Sequence, residues 1–220
     1  YLEIDTLETV ILLNLPNGIE KVALNPVAQW APCFGPTVAD FNNDGHEDVF
    51  LSQNLDTGNH EWGRMDAGHG LLLLGDGEGS LNAIPSTASG IRLKNEQRGT
   101  ATADFNQDGK MDLAVLERGK GAHLFVNQTE HTGVTVSLEG PSANPHCIGA
   151  RLQKINLQTG NVYGPAKEIQ SGSGYRSLNA LKHVFAHPGK PFQIQVTWPN
   201  GKISRHSIPS GITKVTLQQP

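Results

Sequence analysis

Glycines and prolines recur every few residues along the chain, and between them lie short runs rich in Val, Ile, Leu, Thr and Phe. Runs of about four to eight such residues bounded by turn formers read as β-strands. The pattern predicts strands over 9–14 and 20–24, joined by the turn Leu15-Pro16-Asn17-Gly18, then over 36–41, 48–53 and 70–74. The series continues over 100–105, 113–117, 123–127 and 134–138. No stretch before residue 140 holds the 3.6-residue period of a helix. From residue 133 onward the chain reads as a separate antiparallel unit, with strands over 134–138, 150–156, 166–170, 183–186, 192–198, 202–208 and 214–218. In this unit Ile194, Val196 and Trp198 alternate with Gln193, Gln195 and Thr197, which marks a half-buried strand. The Asn200-Gly201 pair after it signals a tight hairpin.

One stretch is repeated. GPTVADFNNDGHEDVFL from Gly35 aligns with GTATADFNQDGKMDLAV from Gly99 at an offset of 64, with identity at 8 of 17 positions. Each copy runs on into a strand, a glycine-containing turn and another strand, so a supersecondary unit is repeated. Units of about 40 to 65 residues with about four short strands each are the pattern of propeller blades or a related radial array.

Within the repeat both copies read DxNxDGxxD. Side-chain oxygens at positions 1, 3 and 5 of a tight loop can meet at one point, with the glycine at position 6 allowing a sharp turn behind them. The carbonyl at position 7 and the Asp at position 9 add further oxygens. An all-oxygen set of this size suits Ca²⁺; Mg²⁺ holds its waters and demands octahedral geometry, while Zn²⁺ wants His or Cys. The sequence therefore predicts two calcium sites. Unlike an EF-hand loop, each is followed at once by a β-type run, VFLSQ or LAVLE, and joins two strands. An Asx-rich turn without an ion is the alternative.

The phrase ADFNxDGxxD, led by a glycine-headed strand and followed by a GDGEGS turn at Gly75–Ser80, resembles the FG-GAP or VCBS repeats. That resemblance implies calcium ligands at Asp40, Asn42, Asp44, the His46 carbonyl and Asp48, and at Asp104, Asn106, Asp108, the Lys110 carbonyl and Asp112. Downstream, NPHCIGARLQ, EIQSGSGYRSLN and VTWPNGKISRHSI resemble the ASPIC/UnbV domain, and the order of repeats then this domain is similar to that of the cartilage acidic protein 1 family. The two resemblances span roughly residues 33–218. The implied fold is all-β: propeller-type blades, as a partial or open array because only two loops are recognisable, then a small antiparallel sandwich or barrel. The corresponding divisions are an N-terminal hairpin or linker over 1–32, which serves as an edge cover or linker strand, two repeats over 33–132 and the C-terminal β domain over 133–220.

Composition narrows the partners. With 17 Lys and Arg against 21 Asp and Glu, the net charge of -4 leaves no basic block to follow a phosphate backbone, so nucleic acid is not an expected partner. No apolar run approaches the roughly 20 residues of a spanning helix. The chain starts at Tyr1 without the features of a signal peptide and reads as part of a longer protein. Cys33 and Cys147 are too few for a disulfide framework, and either two free thiols or one bridge fits.

A second set of candidates lies away from the loops. The insertion LDTGNHEWGRMDAGHG carries His60, Trp62, Arg64 and His69, and Glu96 and Arg98 precede the second repeat. An aromatic ring beside Arg and carboxylates suits a sugar or polar ligand, against the plainer readings of a solvated connector and a salt-bridged turn. His183 and His187 have HxxxH spacing, but a strand is expected there, and all nine histidines read as surface or core residues. Gly172-Ser173-Gly174-Tyr175 reads as a turn, the sequon Asn127-Gln128-Thr129 matters only in a eukaryotic secretory pathway, and there is no GxSxG or HExxH. Two functions follow as expectations. One is a secreted, cell-surface or cell-envelope calcium-binding module that binds a protein or carbohydrate, or completes itself with further blades or chains. The other is an enzyme (lyase, hydrolase or cyclase) with its pocket at the junction of the repeats and the C-terminal domain.

Overall fold

The structure, a computed structural model, describes residues 6–56, 61, 63–187, 189 and 191–220. Its strands are β1 (Val10–Leu15), β2 (Gly18–Ala23), β3 (Cys33–Ala39), β4 (Asp48–Gln53), β5 (Leu71–Gly75), β6 (Leu81–Ile84), β7 (Gln97–Ala103), β8 (Asp112–Glu117), β9 (Gly121–Phe125) and β10 (Gly133–Glu139). They continue as β11 (Arg151–Ile155), β12 (Val162–Glu168), β13 (Lys182–Ala186), β14 (Phe192–Thr197), β15 (Ile203–Ile208) and β16 (Lys214–Gln218). The chain is all-β, and among the described residues helix is confined to a 3-10 turn at Pro26–Gln29 and one α-turn, α1, at Ser86–Ser89.

Among the described residues the strands form five small sheets, none of them closed. The β1–β2 hairpin stands alone. The first repeat is the antiparallel sheet β3-β4-β5-β6 and the second is β7-β8-β9. The C-terminal part holds a four-stranded antiparallel sheet, β12-β11-β14-β15, and a three-stranded one in which β10 pairs antiparallel with β13 and parallel with β16.

Three points refine the expected elements. Strand β6 follows the Gly75–Ser80 turn, where the repeat pattern calls for a strand but its short LNAI run set no bounds. Strand β12 begins at Val162, before the expected 166. Both cysteines are free, Cys33 beside Leu51 and Leu71 and Cys147 within the C-terminal core, so the two thiols belong to different clusters and form no bridge. The Trp198-Pro199-Asn200-Gly201-Lys202 hairpin forms as read: Trp198 N–H donates to Lys202 O at 2.8 Å, and Gly201 takes the left-handed φ of 81° that the turn requires.

Core packing explains why β4 reads as an unbroken apolar run rather than an alternation. Phe50 faces the second repeat and packs in a cluster with Ala39, Phe41, Leu113 and Val115. Leu51, on the other face, joins Leu71 and Leu73 under Ala28 of the 3-10 turn, flanked by Leu24 and Val27. A strand covered on both sides has no solvent face to mark. The segment after the N-terminal hairpin thus covers one face of the first repeat. Burying Phe50 completely contributes about 2 to 3 kcal/mol. The inner strands β3 and β7 lie close together: Thr100 Oγ1 donates to Gly35 O at 3.1 Å, and a Cβ on Gly35 would collide with the Arg98 carbonyl oxygen. The C-terminal core surrounds fully buried Trp198, Leu152 and Ile194. Val184 of β13 reaches out of that unit into the cluster between the repeats.

Candidate functional site

The two acidic loops have the same hydrogen-bond plan. In the first, Asp40 accepts the N–H of Asp44 on Oδ1 (3.1 Å) and of Gly45 on Oδ2 (2.9 Å). Asp48 accepts Phe41 N–H (2.7 Å) and, across the sheet, Gly75 N–H (3.0 Å). In the second, Asp104 takes Asp108 N–H (3.0 Å) and Gly109 N–H (3.1 Å), while Asp112 takes Phe105 N–H and Asn127 N–H, both at 2.8 Å. Asn42 and Asn106 each accept the N–H of position 5 and donate to its carboxylate. The N–H groups of His46 and Lys110 donate to Asp44 and Asp108. Gly45 and Gly109 at position 6 have φ of 97° and 78°. Position 4 is left-handed too, at Asn43 (φ 55°) and Gln107 (φ 61°), a conformation that Asn tolerates better than most residues.

Burial sets the electrostatics. Asp48 is 0% exposed, and loss of water pushes its carboxyl up to about 6, against the pull of the Gly75 and Phe41 N–H groups and helped by the charges of Asp40 and Asp44. Asp40 is raised for the same reason; the Gly45 N–H and Lys167 oppose the shift, and Asp44 and Glu47 add to it. Crowded, desolvated carboxylates of this kind are what a divalent cation relieves.

The donor chemistry fits Ca²⁺. In the first loop the side-chain oxygens of Asp40, Asn42, Asp44 and Asp48 each accept one hydrogen bond and keep a further lone pair, while Asn43 Oδ1 is buried without a partner among the described residues. The side chains are nevertheless turned onto backbone amides: among the described residues no group of three or more His, Cys, Asp or Glu side chains is arranged to hold a metal. Bound calcium would supply positive charge at the point where these oxygens crowd. Asp40, Asn42, Asp44, Asp48 and the His46 carbonyl would hold it in the first loop, with Asp104, Asn106, Asp108, Asp112 and the Lys110 carbonyl in the second.

Other residues tie the loops together, and the sequence did not mark them. Asn43 Nδ2 donates to Gly109 O (3.2 Å) and His131 O (3.0 Å), joining the first loop to the second. Asn127 Nδ2 donates to Phe41 O (2.7 Å) and Met111 O (3.0 Å). The C-terminal part braces both loops. Lys167 pairs with Glu47 at 2.8 Å, Thr135 Oγ1 donates to Asp104 at 2.6 Å, and Lys214 Nζ donates to Gln107 at 3.0 Å. The left-handed position 4 is the one local signal that could have singled out Asn43.

Among the described residues of the second candidate set, Glu96 and Arg98 are in contact while Arg64 and His69 have other partners. His60 and Trp62 lie outside the described residues. Arg64 pairs with Asp66 (3.1 Å) in an exposed position, and His69 is exposed with its carbonyl on Leu93 N–H. Glu96 is buried and bonds Arg98 Nε (2.8 Å), Arg118 Nη1 (3.3 Å) and Asp56 N–H (2.8 Å). Burial pushes its carboxyl up, but those donors outweigh burial and leave it below its ordinary value. Arg98 stacks over Phe34, 3.6 Å from the ring centroid. Arg64, His69, Glu96 and Arg98 line neither of the two cavities described below, and Glu96, Arg98 and Arg118 form a salt-bridged corner. His183 and His187 lie on and just after β13, as the strand reading required.

Two cavities lie where the repeats meet the C-terminal part. One, about 340 Å³, is lined by Glu47, Thr102, Lys167 and His183. The other, about 690 Å³, runs between the first loop, the Gly75–Ser80 turn and the β11–β12 pair, with Lys154, Tyr163 and His187 in its wall. Burial lowers the Lys154 ammonium and Asp40 pulls it back up.

No family model matches the chain. Human cartilage acidic protein 1 is 26% identical over 185 residues, a match that takes in 82% of this chain and 27% of that protein. The chain thus spans about a quarter of the length of the curated relative it matches. No helix among the described residues is long and apolar enough to cross a membrane.

Proposed function

We propose that the chain is a calcium-stabilised β-repeat module of a secreted or cell-surface protein, built of two propeller-type blades and a C-terminal β domain, that binds a protein or polysaccharide. Calcium is structural in this reading: it holds two strands of each blade in register and performs no chemistry. The observation that carries it is the duplicated loop, in which two stretches 64 residues apart repeat the same hydrogen-bond plan around crowded carboxylates. The likeness to a protein named for cartilage supports an extracellular setting, where calcium is abundant enough for loops of modest affinity.

Melting curves with calcium and with a chelator test this. Two sites held at a hundredfold above their Kd add about 5 kcal/mol, which for a chain of this length moves Tm by about 10 to 20 °C. A melting curve that is the same in calcium and in chelator overturns the reading.

A further inference from the structure

The 690 Å³ groove beside the first loop is lined by two residues, Lys154 and His187, that each keep a donor without a hydrogen-bond partner among the described residues. Lys154 Nζ makes no hydrogen bond or ion pair among the described residues; it feels the charge of Asp40 and stands 5.8 Å from the Phe192 ring centroid. His187 Nδ1 accepts Gly189 N–H at 3.0 Å, which leaves the ring proton on Nε2, and that Nε2 is buried with no acceptor among the described residues. Separate elements bring the two residues to one wall, Lys154 from β11 and His187 from the end of β13. Across the β11–β12 pair from Lys154 stands Tyr163, 43% exposed. A buried donor left unpaired, as His187 Nε2 is, is costly, and with the unpaired Lys154 ammonium on the same groove wall it calls for an acceptor, best a carboxylate. An exposed ring beside them offers a flat apolar face to a sugar.

We propose that this groove binds a uronate unit, the carboxylated pyranose of an acidic polysaccharide, with Lys154 and His187 as donors to the carboxylate and Tyr163 as the surface under the ring. The proposal rests on the calcium reading through charge. Asp44 and Glu47 line the same groove and repel a carboxylate. Lys167 neutralises Glu47, whereas Asp44 and Asp40 are neutralised by the cation in the loop. Calcium and uronate therefore bind cooperatively, and each raises the affinity for the other by the same factor.

Titration calorimetry of the intact chain with trigalacturonate, in excess calcium and in chelator, tests the proposal. Neutral maltotriose and a short polyglutamate peptide serve as comparison probes. The expected result is binding of trigalacturonate in calcium that weakens at least about tenfold in chelator, and at least about tenfold in Lys154→Met. Tyr163→Ala is expected to weaken it as well, with both variants melting as the parent does in calcium. No binding of trigalacturonate in calcium, equal binding of maltotriose or polyglutamate, or unchanged binding by Lys154→Met overturns the proposal. Melting curves run without saccharide separate the two readings. A normal calcium shift with no uronate binding sinks the groove alone; loss of the calcium shift sinks the loop reading and the cooperativity with it.

Discussion

Lowering the pH should destabilise the protein through His183 on β13. Its Nε2 lies 3.0 Å from the Glu168 carbonyl, which can only accept, so Nε2 carries a proton. Burial first, and the nearby Lys167 charge second, hold its pKa down from 6.5 to about 4; the bond to Glu168 and the charge of Glu47 pull the other way and lose. Between those two values the unfolded chain binds a proton that the folded chain refuses. Stability therefore rises with pH across that window and is lost as pH falls through it. Protonation at about pH 5 follows the unfolded value closely, so this one group accounts for at most about 2 kcal/mol of lost stability relative to about pH 7. Urea denaturation at both pH values, with calcium present throughout, measures the loss. His183→Gln keeps an N–H for the Glu168 carbonyl but cannot titrate, so the difference between parent and variant isolates the histidine. Parallel losses in the two proteins would refute the reasoning, as would an NMR titration of His183 near 6.5.

Asn43→Ala removes the donor shared by Gly109 O and His131 O and leaves φ 55° to a residue that tolerates it less well than Asn; we expect a loss of about 2 kcal/mol in urea unfolding. Asn43→Gly relieves the backbone but not the missing donor and is expected to lose less. Gly35→Ala drives a methyl against the Arg98 carbonyl oxygen between the repeats and should cost about 1 to 3 kcal/mol by the same assay. Because Asn127 spends both its amide hydrogens on Phe41 O and Met111 O, and Thr129 Oγ1 bonds its Oδ1, the sequon should remain unmodified when the folded chain passes through a secretory pathway. Intact mass spectrometry decides that point.

Local alternation and turn residues made most strands readable. Strand 48–53 matches to the residue, and 214–218 does as well. What the sequence could not convey was which strand lies beside which. The parallel pairing of β10 with β16 joins residues 79 positions apart, such as Thr135 and Lys214, and no local pattern encodes it. The acidic loops were legible because their spacing is local and doubled. Asn43, Asn127 and Thr135 were not, since each acts on a partner distant in sequence. Glu96 and Arg98 were seen as a pair, but their neighbours Arg118 and Asp56, which tie them into the structure, come from connecting segments distant in sequence.

The parallel partnership of β10 and β16 also bears on the order in which the chain acquires structure. The repeats close through neighbouring strands, so they can form as soon as β9 has left the ribosome. The C-terminal core cannot do this: Leu217 of β16 packs with Val134, Val136 and Leu138 of β10, at opposite ends of the unit. Until that last strand arrives, β10 waits with one edge unpaired and its apolar side chains exposed. Closing so long a loop is slow relative to hairpin formation. The interval between synthesis of β10 and docking of β16 is thus the period in which the nascent chain is most exposed to misassociation.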